Sequence, residues 1–280
     1  MAHIDQILNL IGVVLWLSWR GVGDTSPATL GAGTLVSTLK PARREPTHSW
    51  MYLAALGVLL AVRPMLYAPL ARTLDWTPML PLGPVNLAFR ADEPLRLLTF
   101  SLLSFGWTLL VFQAAVSALS QLARGPGEPT GVVRWLRELA GRPGAWPVVV
   151  SLLAPVLLVA AAWAALAFPL AKLGVLPVPP TGANLAGQAF AVGSGVWLPA
   201  RWVLAGLLLL RMVHDHVYLG DHPMWAYVRI AGGRLARPLA WLPLRLMKFD
   251  LTPLVAAIAV LVLAEAAEVG LTRAYLMLSR

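Results

Sequence analysis

The chain has 280 residues, of which 58% are apolar and only 12% charged, with a mean hydropathy of +0.71. This balance excludes an ordinary soluble domain and predicts an all-α membrane protein with several spans. The formal net charge of +9 does not indicate nucleic-acid binding, because the basic residues lie in short segments between apolar runs. The absence of cysteine excludes disulfides and thiolate metal sites.

Six apolar segments are long enough to cross a bilayer as helices. A seventh, residues 27–39, is shorter and rich in Gly, Ser and Thr, so it is either a thin spanning helix or a re-entrant piece. The sequence therefore predicts six or seven transmembrane helices. The six longer segments are 4–19, 49–68, 95–122, 146–171, 190–219 and 253–278.

Two connections combine apolar and basic residues. In 130–142, helical spacing puts Val133 and Leu136 on one face and Arg134 on another, while 222–250 mixes aromatic residues with five cations. We predict two amphipathic helices lying in the cytoplasmic interface, apolar side down, the alternative being ordinary basic loops. The predicted contacts with anionic lipid headgroups are Arg134, Arg137, Arg229, Arg234, Arg237, Arg245 and Lys248.

The charge of the connections predicts the topology. Net basic connections alternate with connections that are not basic, as a consistent membrane topology requires, and the basic ones belong in the cytoplasm. The net basic connections are 40–48, 124–142 and 220–250, and the others are 69–94 and 172–189. We therefore predict a bacterial inner-membrane protein whose C-terminus lies outside. Its N-terminus is inside if 27–39 spans the membrane and outside if it does not.

A four-residue pattern, Asp-x-Ser/Thr-Pro, occurs twice, each time at the start of an apolar helix. Its hydroxyl residue can cap the helix, its proline suits the first helical position, and its aspartate lies beside the positive helix end. The residues of these predicted helix starts are Asp24, Ser26, Pro27, Asp250, Thr252 and Pro253.

The pattern and its surroundings resemble the YggT (YlmG-like) family of small integral membrane proteins. The best match is 204–265, where an apolar helix precedes an arginine-rich stretch with prolines, the Asp-Leu-Thr-Pro motif and a second apolar helix. Residues 15–27 carry partial elements. The resemblance implies a non-enzymatic protein of membrane organisation, complex assembly or osmotic-stress tolerance, and it assigns no catalytic residue. We divide the chain into an N-terminal membrane half, 1–142, and a C-terminal half, 143–280, which contains the repeat.

The stretch HDHVYLGDH, residues 214–222, concentrates three histidines at the end of an apolar run. Histidines two positions apart face opposite sides of a helix and cannot share a metal while helical. Gly220 suits a helix end, and Pro223 suits the start of the next helix, capped by Asp221 or His222. We predict a hinge at the membrane boundary and no bound cofactor. A pH-sensitive interfacial cluster, or a metal site built on His214, His216 and His222, are the alternatives.

Arg63, Arg201 and the pair Glu265 and Glu268 are ionisable residues in apolar surroundings inside these segments. Such charges cost about 2.5–3.5 kcal/mol each on insertion scales, so they usually pair or line a polar path. Two of them, Glu265 and Glu268, are three apart and share a helix face. We predict one intramembrane charge cluster formed by Arg63, Arg201, Glu265 and Glu268. In the alternative, each side chain reaches the outer interface separately.

Catalytic motifs are absent from the sequence: it has no P-loop, G-x-G-x-x-G, H-E-x-x-H or G-x-S-x-G. Small-residue steps at 31–33, 193–195 and 232–233 suit close helix packing. We predict a non-enzymatic membrane protein that assists the organisation or assembly of other components, with a membrane-protein partner or a second copy and no nucleic acid. The first alternative is a small-solute transporter or ion channel that uses the charge cluster. The second is a metal- or haem-dependent membrane enzyme.

Overall fold

The chain is predominantly helical. The computed structural model describes residues 2–20, 49–74, 76–90, 93–122, 124, 131–141, 146–176, 182–217, 220, 222–241, 244–246 and 249–278. The helices of these residues are α1 (Ala2–Trp19), α2 (Trp50–Leu74), α3 (Pro94–Leu122), α4 (Gly131–Ala140), α5 (Val148–Lys172), α6 (Gly182–Ser194), α7 (Ala200–His216), α8 (Pro223–Ala236) and α9 (Thr252–Leu278). Two short two-stranded sheets accompany them, β1 (Met79–Leu82) with β2 (Val85–Ala88) and β3 (Arg245–Leu246) with β4 (Phe249–Asp250).

Five helical stretches of the described residues are long and apolar enough to cross a membrane. They are Trp50–Leu70, Pro94–Leu122, Val148–Lys172, Asn184–His216 and Thr252–Leu278. The membrane character and the all-α class predicted from composition are therefore confirmed, but the count of six or seven spans is not. The helix from His3 to Trp19 falls below the length of a full span, since a helix rises only about 1.5 Å per residue. Residues 27–39 lie outside the described part of the chain.

The fourth of these stretches is a broken helix rather than a continuous one. A 3₁₀ turn, Gly195–Trp197, separates α6 from α7, and Pro199 precedes the first residue of α7. The turn between β1 and β2 packs against this break, where a Cβ atom on Gly83 would lie 2.6 Å from the Cα atom of Gly195. Gly83 also has a φ angle of +67°, which an L side chain rarely adopts. Both glycines are therefore required by the backbone geometry.

The chain divides into two compact units. The first contains residues Met1–Leu80 and Ala88–Leu109, and the second contains Pro81–Leu87 and Leu110–Arg280. The boundary therefore falls inside α3 and not between the predicted halves, which met at residue 142. The first half of α3 belongs with α1 and α2 because its serines bond to them, as in the hydrogen bond from Ser101 Oγ to the carbonyl oxygen of Leu60 (2.9 Å).

Helix packing in the second unit depends on small residues. Helix α6 packs against α5 and α9, and α7 packs against α8 and α9. A Cβ atom on Gly193 would lie 2.5 Å from the carbonyl oxygen of Val156, and one on Gly232 would lie 2.9 Å from the side chain of Arg211. The predicted role of these glycine steps in close helix packing is thus confirmed. The core between α7, α8 and α9 is formed by Ala205, Leu208, Ala236, Ala256 and Ala257.

The two predicted interfacial helices are corrected by the structure. The helix α4 lies within 130–142 as expected, but its apolar residues Val133, Leu136 and Leu139 are buried by protein, so this face is not free to enter lipid. The second prediction extended one helix over 222–250. Helix α8 ends at Ala236, a 3₁₀ turn follows, and β3 and β4 form a tight antiparallel pair. Prolines interrupt this stretch because they lack the amide donor that a helix requires.

Candidate functional site

The first unit contains a buried polar cluster centred on Asp5 of α1. Its Oδ1 atom accepts hydrogen bonds from Tyr67 Oη (2.8 Å) and Arg63 Nη2 (3.1 Å). Its Oδ2 atom accepts from Ser104 Oγ (2.7 Å) and Asn9 Nδ2 (3.3 Å). Both carboxylate oxygens are therefore used twice, by donors from α1, α2 and α3. We call these five residues the Asp5 cluster.

The Asp5 cluster is enclosed by the protein. The side chain of Arg63 is fully buried and that of Asp5 is 16% exposed. Arg63 Nη2 also donates to the backbone carbonyl oxygen of Asp5 (3.0 Å), whereas its Nε and Nη1 atoms are buried without a hydrogen-bond partner. The ring of Tyr67 packs edge-on against Trp76 (5.4 Å between centroids) and Phe100 (5.9 Å). A buried pair of this kind connects helices, and removing one partner would leave an uncompensated charge.

The second unit contains an ion-pair triad on α7 and α9. Arg201 Nη1 lies 2.7 Å from Glu268 Oε2 and 3.3 Å from Glu265 Oε2. Two carboxylates thus share one guanidinium nitrogen, while Arg201 Nε is buried without a partner. The guanidinium carbon lies 5.4 Å from the ring centroid of Trp202, close enough for a cation–π interaction. We call Arg201, Glu265 and Glu268 the α7–α9 triad.

The two glutamates of the α7–α9 triad lie near the centre of the apolar helix α9 and are more exposed than Arg201. The side chain of Glu265 is 68% exposed and that of Glu268 34%, against 19% for Arg201. Glu265 is the middle residue of α9, which begins at Thr252 and ends at Leu278. It therefore lies about 20 Å along the helix from either end. In a bilayer, an exposed carboxylate at this depth faces hydrocarbon, where it requires a partner.

The structure brings together three of the four residues predicted to form one charge cluster. Arg201, Glu265 and Glu268 are in contact, but Arg63 pairs with Asp5 within the first unit. The prediction therefore assigned Arg63 to the wrong partners. The reason is that α1 carries polar residues at positions 5 and 9, one helical turn apart and so on one face. This spacing was the signal in the sequence that could have identified the cluster.

The three histidines between the last turn of α7 and the start of α8 have separate local roles. The ring of His214 stacks on Trp225 of α8, with 5.7 Å between centroids and an interplanar angle of 6°. His216 Nδ1 lies 2.7 Å from the carbonyl oxygen of Met212. His222 caps α8 by accepting from the amide of Met224 (3.3 Å). Among the described residues, no group of three His, Asp or Glu side chains is arranged to hold a metal.

These contacts match the predicted helix stop, turn and helix start. Helix α7 ends at His216, Gly220 adopts a φ angle of +86°, and Pro223 is the first residue of α8. The geometry therefore agrees with the predicted turn between two helices, and of the two predicted caps His222 is the one that caps α8.

The second Asp-x-Ser/Thr-Pro motif begins α9 in a slightly different way from that predicted. The carboxylate of Asp250 accepts from the amide of Thr252 (2.9 Å), so the aspartate and not the threonine hydroxyl satisfies this helix end. Thr252 is the first residue of α9, and Pro253 is buried in its first turn. The residues of the first motif copy, Asp24, Ser26 and Pro27, lie outside the described residues.

The basic side chains predicted to contact lipid headgroups are only partly described. Arg134, Arg229, Arg234 and Arg237 are exposed, and Arg137 is half-buried with its Nε atom buried. Arg234 also donates to the carbonyl oxygen of Leu122 (2.8 Å). The side chains of Arg245 and Lys248 lie outside the described part of the structure.

Tyr227 of α8 forms a hydrogen bond to the backbone of α3. Its hydroxyl donates to the carbonyl oxygen of Leu119 (3.0 Å), and burial raises the pKa of Tyr227 above its usual range.

Comparison with known proteins identifies no relative. No family model matches the chain, and neither a curated protein nor a solved structure does. The interpretation of the two sites therefore depends on their geometry.

Proposed function

We propose that this chain is a non-catalytic membrane protein that assembles with another membrane protein. Its resemblance to YggT-type proteins, carried by Asp250, Thr252 and Pro253, is in keeping with a role in membrane organisation, complex assembly or osmotic-stress tolerance. The proposal also includes attraction of the exposed arginines on α8 to anionic lipid headgroups.

The observation that supports the proposal best is the exposure of α9. Only 11% of its membrane-spanning window is buried within the chain, against 22% to 33% for the other four spans. Its exposed surface includes Glu265 at mid-helix. Apolar exposure alone is expected of a helix that faces lipid, but an exposed carboxylate at this depth is costly. A protein partner would remove it from hydrocarbon.

The test is affinity purification of the full chain from its native membrane in mild detergent, with mass spectrometry of the recovered proteins. We expect a reproducible, stoichiometric membrane-protein partner. An unrelated polytopic protein with the same tag, purified in parallel, controls for non-specific recovery. Recovery of the chain without a partner would contradict an assembly role.

The alternative function is transport of a small solute or ion. The observation that favours it is the same carboxylate, because intramembrane acidic residues serve proton and ion paths in pumps and transporters. Ion and proton flux into liposomes that contain the purified chain would test it. Flux that Glu265→Gln abolishes would favour transport over assembly.

The proposed location is the bacterial inner membrane with the basic connections in the cytoplasm. In that topology the C-terminal end of α9 lies outside. Because the chain has no cysteine, single cysteines introduced at Arg134 and at Met277 would report the side of each position through labelling with an impermeant thiol reagent. We expect labelling of intact spheroplasts at Met277 and not at Arg134.

A further inference from the structure

The exposed side of α9 carries a regular stripe that a single chain leaves uncovered. Ile258, Val262 and Val269 are 53%, 61% and 42% exposed, and Glu265 lies between the second and third. The successive spacings of four, three and four residues are those of a helix–helix seam. Beside the stripe, Ala266 and Gly270 are four apart and exposed.

Small residues at this spacing let a second helix approach closely. A Cβ atom on Gly270 would meet nothing within 4 Å, so this side of the helix is open within the chain.

The charge of this face indicates which kind of partner helix would pack against it. Glu265 and Glu268 share a single nitrogen of Arg201, so two carboxylates face one guanidinium. At mid-helix the face therefore has an excess of negative charge, since Arg273, an exposed cation of α9, lies about 12 Å further along the helix. A basic side chain on an opposing helix would balance the charge and take up the remaining acceptor capacity of the two carboxylates.

A second copy of the chain fits this face less well. Arg201 already donates to both glutamates of its own chain. Pairing two identical faces would place four carboxylates beside two guanidinium groups and repeat the charge excess. The two-fold arrangement would thus bring like charges together, which disfavours a pair.

We propose that the stripe formed by Ile258, Val262, Glu265 and Val269 is an intramembrane docking site for a partner helix that carries one Arg or Lys near its midpoint. This inference rests on the proposed assembly function, since it names the surface and the chemistry of the partner. Glu265 fixes the depth and register of the partner, as a single polar residue does in a helical seam. Val262 and Val269 supply the apolar contacts on either side.

The test uses a synthetic probe in place of the unidentified partner. A dye-labelled transmembrane peptide of about 20 Leu and Ala residues, with a single Arg at its centre, is titrated in liposomes against the full-length labelled chain, and energy transfer reports binding. Peptides with Leu or Glu at the centre are the controls. We expect the Arg peptide to bind about 3- to 20-fold more tightly than the Leu peptide, the range given by interhelical polar contacts in membranes.

Three variants locate the binding. Glu265→Gln removes the charge, so the variant should bind the Arg peptide and the Leu peptide with nearly equal affinity. Gly270→Leu adds bulk beside the stripe and should weaken both peptides. Glu93→Gln, the matched control, removes a carboxylate from an ion pair with Arg96 in the first unit and should leave binding unchanged. Circular dichroism of each variant checks that the helices are retained.

Several results would overturn the docking site. Equal binding of the Arg and Leu peptides would do so, as would a preference that persists in Glu265→Gln. Energy transfer between two labelled copies of the chain, lost in Gly270→Leu, would instead make a second copy the occupant.

Native purification separates this inference from the broader function. If the wild-type chain and Glu265→Gln recover the same partner equally, assembly stands and the docking site fails. If neither recovers a partner, the assembly function itself fails.

Discussion

The Asp5 cluster and the α7–α9 triad both contain ion pairs in apolar helices, but they differ in how completely the chain satisfies their carboxylates. The carboxylate of Asp5 accepts from four side chains, and its cation, Arg63, is fully buried. In the triad two carboxylates share one nitrogen, and Glu265 remains 68% exposed. The Asp5 cluster is enclosed within its unit, whereas the α7–α9 triad has an exposed carboxylate.

This difference separates a stabilising role from a binding role. A closed pair connects the helices that supply its donors, so its removal should alter stability. Polar contacts between helices in a bilayer contribute only about 0.6 kcal/mol on average, because the separated helices also find polar partners. Removal of an exposed pair should therefore mainly alter association. Measurements of the free energy of unfolding in mixed micelles can therefore test whether the two sites differ as proposed.

The largest effect is expected for Arg63→Met. This change leaves the Asp5 carboxylate buried without its cation, so the free energy of unfolding should fall by about 3–5 kcal/mol. The double variant Asp5→Asn with Arg63→Met removes both charges and should recover much of the loss. A decrease of less than 1 kcal/mol in the single variant would mean that the Asp5 cluster does not stabilise the unit.

A smaller loss is expected for Tyr67→Phe. The change removes only the hydroxyl that donates to Asp5 Oδ1 at 2.8 Å and keeps the ring against Trp76 and Phe100. Hydrogen bonds to charged groups contribute about 1.5–3 kcal/mol, and the unfolding free energy should decrease by that amount. Tyr52→Phe on the same helix is the matched control and should have little effect.

In the triad, Glu268→Gln should have a smaller effect still. Glu268 lies closer to Arg201 than Glu265 does, 2.7 Å against 3.3 Å, and is less exposed. We expect a loss of about 1 kcal/mol in unfolding free energy, which lies within the range of interhelical polar contacts in membranes. A loss as large as that of Arg63→Met would show that the triad is a stabilising site like the Asp5 cluster.

The smallest change in stability is expected for Glu265→Gln. The change weakens one contact with Arg201 but also removes an exposed charge from hydrocarbon, and these opposing effects should change the unfolding free energy by only about 0–0.5 kcal/mol. Binding of the Arg peptide in liposomes should nevertheless fall to that of the Leu peptide in the same variant. A stable protein that no longer prefers the Arg peptide would sharpen the contrast between the two sites, whereas an unchanged preference would remove it.

Composition and hydropathy predicted the all-helical membrane character because both depend on long apolar runs, which single segments display. The pairing of Arg201 with Glu265 and Glu268 was part of the predicted charge cluster, which depended on two glutamates that share one face of an apolar helix. The pairing of Arg63 with Asp5 was not predicted, because it depends on the rotation of α1 that directs its polar residues toward α2. Local periodicity does not determine such an angle, although Asp5 and Asn9 mark the relevant face.

The connections were harder to predict for a related reason. An amphipathic pattern shows which face of α4 is apolar, but it does not show whether lipid or protein buries that face. Val133 and Leu136 are covered by protein, a contact that depends on residues far along the chain. The prolines beyond α8 were visible in the sequence, and the predicted helix should have ended at them.

The donors around Asp5 also set an order for the biosynthesis of the protein. Arg63 follows Asp5 in the chain by 58 residues, and Ser104 follows by 99. At synthesis rates of about 5–20 residues per second, Asp5 leaves the ribosome about 3–12 s before Arg63 does. During that interval α1 has an aspartate without its cation. We therefore expect α1 to reach its final depth only after α2 and the start of α3 have emerged, so that α1, α2 and α3 insert as one group.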